Sequence, residues 1–194
     1  RCELSSGTRL PIDGLITGQV RDARIFLTAV SALLELRNAS KIRRVLVSVW
    51  EEDELNNRQL MDSLRQLGVR VITTSQNTTL RSVGNYWEQL RTLDRGLQEV
   101  EDGTLVLKTR ADLVFLDGSR GIEKVLDATQ GRWCHSLGLK HKIWIPSFVA
   151  FQPFFMADQC SVSLSDDLRK FVRYDAQLEA WDQQVAMFPG SKTH

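Results

Sequence analysis

The side chains best equipped for chemistry stand together in the stretch Thr104 to Asp117, TLVLKTRADLVFLD. Lys108, Arg110 and Asp112 alternate along it, so on extended backbone all three leave the same face. An ammonium and a guanidinium suit phosphate, the guanidinium through two parallel hydrogen bonds. A carboxylate beside them can hold a divalent cation or accept hydrogen bonds from sugar hydroxyls. Leu105, Val106 and Leu107 are apolar on both parities, the mark of a strand covered on both faces of a parallel sheet. The triplet then falls at that strand's carboxyl end, where open α/β sheets bind ligands. A strand leaving the core for solvent carries similar charges. Leu113 and Val114 argue against this, because they imply that the chain returns to the interior.

Further candidates follow other strand ends. Gly18-Gln19 separates a short strand, Ile12 to Thr17, from an amphipathic helix capped by Asp22, so backbone amides there can receive an anion. A structural turn is the plainer reading of a lone glycine. Arg81 and Asn85 flank the first turn of a later helix, where the dipole favours anions and where they can grip a diphosphate or a sugar. Asp158 follows the apolar run Phe154-Phe155-Met156-Ala157; an acid in such a setting can have a raised pKa and act as a base, or can simply close a turn. Glu51, Glu52 and Asp53 follow a second strand, with Asp53 where a helix cap is expected. Cys134, His135 and His141 do not make a metal site, since adjacent residues rarely ligate one ion.

The elements that must position these residues alternate in type. Ile25, Phe26, Ala29, Val30, Leu33 and Leu34 form a helical stripe after the first strand. Val45 to Val49 reads as a strand, and a helix through Leu60, Leu64 and Leu67 ends at Gly68. Val69 to Ile72 is a third strand, and Thr73 to Ser82 a polar loop. A helix with Val83, Tyr86, Trp87, Leu90, Leu93, Leu97 and Val100 on one face leads to the strand of the triplet. Short helices are expected at Ile122 to Ala128 and from the cap Ser165 to Val172, with strands within Ile143 to Phe155. The alternation predicts an α/β fold with a mostly parallel sheet flanked by helices. A single domain is expected over residues 1–194, with an irregular lead-in over 1–11 and a C-terminal helix within 174–194.

Composition narrows the function classes. With 25 basic and 24 acidic residues the net charge is +1, which carries no polyanion-binding signature, so nucleic acid is not the expected partner. Hydrophobic content of 42% is that of an ordinary globular chain. Three widely spaced cysteines fit reduced thiols in a cytoplasmic protein better than a disulfide framework. No apolar run approaches the roughly 20 residues of a membrane span.

An ordered series of short motifs resembles the WavE family of lipopolysaccharide-synthesis proteins, regarded as GT-A-type glycosyltransferases. The series is the opening strand with Gly18-Gln19; Val47-Ser48-Val49-Trp50 with the acids after it; Asn85, Gln89 and Gly96-Leu97; Lys108-Thr109-Arg110-Ala111-Asp112-Leu113; and Pro153-Phe154-Phe155 with Asp158. The likeness covers about residues 12–173. It departs from the family at Val20-Arg21, where Gly-Pro is usual, and at Glu88-Gln89, where Arg-Gln is usual.

The resemblance implies a GT-A-like, Rossmann-like domain that moves a sugar from a nucleotide donor to a saccharide or lipid-linked saccharide acceptor. It implies work in the cytoplasm or peripherally at the inner face of a membrane. The D-x-D motif of GT-A enzymes holds a metal on the donor diphosphate; Arg110 stands at its first Asp. Either Asp112 alone ligates a divalent ion such as Mg or Mn, or Arg110 and Lys108 neutralise the diphosphate directly. Arg81, Asn85, Gly18 and Gln19 are then donor-binding, and Asp158 is the base that deprotonates the acceptor. The alternatives are a non-catalytic carbohydrate- or nucleotide-binding domain of this fold, or a sugar-nucleotide nucleotidyltransferase.

Overall fold

In the computed structural model the described residues are 9–75, 86–115, 118–129 and 160–173. They form five strands and six helices in the order β1 (Ile12–Thr17), α1 (Ala23–Asn38), β2 (Arg44–Trp50), α2 (Glu51–Asn56), α3 (Arg58–Gln66), β3 (Arg70–Thr74), α4 (Tyr86–Leu97), β4 (Leu105–Arg110), α5 (Ser119–Thr129), β5 (Cys160–Leu164) and α6 (Ser165–Arg173). The strands make one sheet in the order β3-β2-β1-β4-β5. The first four are parallel, and β5 runs antiparallel along the β4 edge.

Strand parity sorts the core into two layers. Ile12 and Ile16, Val45, Val47 and Val49, Leu105 and Leu107, and Val162 and Leu164 face one side, packed with Phe26, Leu33 and Leu36 of α1, Met61 and Leu64 of α3, and Ile122 and Leu126 of α5. Leu15, Leu46, Ile72 and Val106 face the other, under Leu93 and Leu97 of α4 and Leu168 and Val172 of α6. Each fully buried Leu, Ile or Phe contributes about 1.5–3 kcal/mol, which outweighs the weak propensity of the short helices for helix alone.

The connectivity reverses at β1. From β1 to β3 the chain steps outward in one direction, crossing over the α1 and α3 layer; it then returns over the α4 layer to place β4 on the far side of β1. Reversing the direction and changing the face together keep both crossovers the same hand. The crevice between the carboxyl ends of β1 and β4 is therefore the topological switch point of the sheet.

Several sequence expectations need correction. The chain after β4 does not re-enter as a continuous buried segment: Val114 is exposed, while Leu113 and Phe115 lie half-buried against the core. The helix after β2 breaks at Asn57 into α2 and α3, and Asp53 lies inside α2 rather than at its cap. Ser165 is the first residue of α6; buried, it donates its hydroxyl to the Glu101 carbonyl at 3.0 Å. The strand β5 is an addition to the elements expected from the sequence. The strands expected within 143–155 and the helix within 174–194 lie outside the described residues. Among the described residues no helix is long and apolar enough to cross a membrane.

Candidate functional site

Asp22 starts the site by fixing where α1 begins. Its Oδ1 accepts from the Arg24 amide at 2.7 Å and the Ile25 amide at 3.1 Å, so the turn between β1 and α1 is held to the four residues Gly18 to Arg21. Gly18 makes that turn with a φ of +105°, which strains any residue bearing a Cβ. Its amide donates to the Ser48 carbonyl on β2 at 3.2 Å. Gln19 is exposed and Val20 tucks inward, so the following Arg21 emerges at the crevice.

On the other side of the crevice β4 ends at Arg110, and the Ala111 amide donates back to the Thr17 carbonyl at 2.9 Å. The chain then turns, and Asp112 folds under its neighbour. Arg110 Nε donates to Asp112 Oδ1 at 2.7 Å and Nη2 to Oδ2 at 2.6 Å, a bidentate pair. Arg21 Nη1 approaches the same Oδ2 at 3.8 Å from across the crevice. These contacts hold the Asp112 carboxyl below the usual carboxylate range, the Arg110 hydrogen bonds being the largest cause and the charges of Arg110 and Arg21 adding to them.

Lys108 lies deeper. It is 5% exposed, beside Leu15 of β1 and Ser161 of β5 in the register, one strand repeat inside the edge. Burial pushes the neighbouring Cys160 thiol up to about 11, with the Lys108 charge opposing the rise. The three residues of the triplet thus differ in setting: a buried ammonium, an edge guanidinium, and a carboxylate clasped by that guanidinium.

Asp53 lies in α2, just past the carboxyl end of β2. It is buried, and its Oδ2 has no hydrogen-bond partner among the described residues. Burial raises its pKa, with the nearby backbone of Val20 and Trp50 opposing the rise in part. Ser48 Oγ, Thr74 Oγ1, Gln89 Oε1 and Thr109 Oγ1 are likewise buried without partners among the described residues.

Of the sequence-derived candidates, Gly18, Gln19, Arg110 and Asp112 come together at the switch point, with Lys108 behind them. Arg81, Asn85 and Asp158 lie outside the described residues. Sequence reasoning missed Arg21 and the buried role of Asp53. Arg21 stands at one of the departures from the family pattern, which was the available signal. Among the described residues no three His, Cys, Asp or Glu side chains converge as metal ligands would. Asp112, the described carboxylate at the expected metal position, already has both oxygens engaged by Arg110. No protein-family model matches the sequence, and no curated protein matches it either.

Proposed function

We propose that the chain is a glycosyltransferase of the GT-A kind. It binds a nucleotide sugar at the crevice between β1 and β4 and passes the glycosyl group to a saccharide or lipid-linked acceptor in bacterial surface-polysaccharide synthesis. The observation that carries this reading is the meeting of Arg21, Arg110 and Asp112 at the switch point of a 3-2-1-4 parallel sheet with an antiparallel strand beyond β4. Open α/β sheets bind ligands there, and paired guanidiniums suit a diphosphate.

In the transfer, an acceptor hydroxyl gives its proton to a base as its oxygen bonds to the anomeric carbon. The bond from that carbon to the diphosphate oxygen breaks, and the nucleoside diphosphate leaves with the electron pair. Arg21 and Arg110 meet the negative charge that grows on the leaving group, and charge stabilisation of this kind supplies much of the rate acceleration in many enzymes. Asp112 orients Arg110 and offers its oxygens to donor-sugar hydroxyls. Asp158, outside the described residues, remains the base that the sequence resemblance implies.

Thermal-shift measurement against UDP-, GDP-, CMP- and ADP-linked sugars tests this. A ligand that binds only the folded chain raises the melting temperature, so one nucleotide class should raise it selectively. Absence of a shift with every nucleotide sugar contradicts the proposal. Binding without turnover of any acceptor leaves a carbohydrate- or nucleotide-binding domain instead.

A further inference from the structure

Resting on the nucleotide-sugar reading, we infer that the crevice neutralises its diphosphate with its own guanidiniums, and that a divalent cation does not strengthen binding. Two observations lead here. First, Arg110 grips both Asp112 oxygens at 2.7 and 2.6 Å in the favoured fork geometry, so a metal there has to share a carboxylate whose charge a guanidinium already compensates. Second, Arg21 reaches the same oxygen from the opposite wall at 3.8 Å. A divalent ion there would sit between two guanidiniums, each repelling it, with one carboxylate in compensation.

The geometry also gives the two arginines separable roles. Arg110 is half-buried and held in place by Asp112, a preorganised donor that loses little freedom on binding. Arg21, with a side chain 53% exposed, closes from the β1 turn. Asp112 acts as a positioning residue for Arg110.

The test is calorimetric titration of the whole chain with inorganic pyrophosphate, UDP and GDP, in EDTA and again with excess Mn²⁺. The expected result is binding in EDTA that Mn²⁺ leaves unchanged or weakens, and that Arg21→Gln and Arg110→Gln each weaken about tenfold. Arg21 is exposed and outside the core, so its variant keeps the test valid should Arg110→Gln fold poorly. Asp112→Asn loosens the hold on Arg110 and should weaken binding by less than Arg110→Gln does, and by the same factor in EDTA and in Mn²⁺. Binding that appears only with Mn²⁺, or that both arginine variants retain in full, overturns the inference and leaves the glycosyltransferase proposal standing. Pyrophosphate binding in EDTA with no response to UDP, GDP or any nucleotide sugar upholds the anion site and overturns the glycosyltransferase proposal. No binding of any probe overturns both.

Discussion

The guanidinium of Arg110 closes on both carboxylate oxygens of Asp112, two residues further along the chain, at 2.7 and 2.6 Å. A carboxyl depressed on folding adds stability that is present above its unfolded value, about 3.9, and is lost as pH falls through the lower folded value. Asp112 is depressed in this way, chiefly by Arg110. Asp112→Asn should therefore cost about 0.5–1 kcal/mol at neutral pH, kept small by partial exposure, and close to nothing in strong acid. Urea unfolding at both pH values measures this; an equal cost at both would mean that the ion pair is not the cause.

Asp53 has the opposite sign. Its carboxyl is raised by burial, so the folded state binds its proton more tightly, and stability falls as pH rises from the unfolded value to the folded one. Asn keeps the shape of the side chain while removing the buried charge. Asp53→Asn should gain on the parent between pH about 4 and neutral, by roughly 1 kcal/mol. Parallel stability profiles for the two proteins would contradict this.

At the amino end of the sheet the buried Asp13 accepts from Arg43 at 3.0 and 3.1 Å and from Arg44 at 2.9 Å. Asp13→Ala removes the shared partner of two guanidiniums. Because both arginines are partly exposed, the expected cost is near the low end for broken buried pairs, about 3 kcal/mol. Chemical denaturation checks it, and a cost below about 1 kcal/mol, the surface-pair range, would count against a structural role.

Gly96 is where α4 meets the sheet. A Cβ there would come within 2.7 Å of Leu15 Cδ1 and 3.2 Å of Ser48 Cβ. Leu15 is fully buried and has little room to yield. Gly96→Ala should destabilise by about 1–2 kcal/mol through overpacking, even though alanine favours helix by about 1 kcal/mol. A stabilised Gly96→Ala protein in thermal unfolding would show that α4 can lift without cost.

Periodicity made most of the scaffold legible. The stripe of Phe26, Ala29, Val30 and Leu33, the apolar runs at Val45 to Val49 and Leu105 to Leu107, and the Asp22 cap are local signals that tertiary packing leaves in place. The edge strand β5 carried a signal too, because Cys160, Val162 and Leu164 alternate with Ser161 and Ser163. At five residues that alternation is short, and two serines in five dilute its apolar content.

The site was legible only in part. Alternation correctly put Lys108 and Arg110 on one strand face, yet parity is silent about depth, and Lys108 is buried whereas Arg110 reaches the edge. The approach of Arg21 to Asp112 joins residues 91 positions apart through the parallel pairing of β1 with β4. No spacing rule along the chain reports such a contact.

An amide chemical-shift titration with the nucleotide sugar selected by thermal shift locates the bound ligand. The largest shifts should fall on Gly18 to Arg21 and on Arg110 to Asp112, the two walls of the crevice. Shifts confined instead to the amino edge of the sheet would contradict the proposed site. There a cavity of about 350 Å³ lies among Arg37, Lys41, Ile42 and Leu126, and binding in it would place the ligand at the wrong end of the strands.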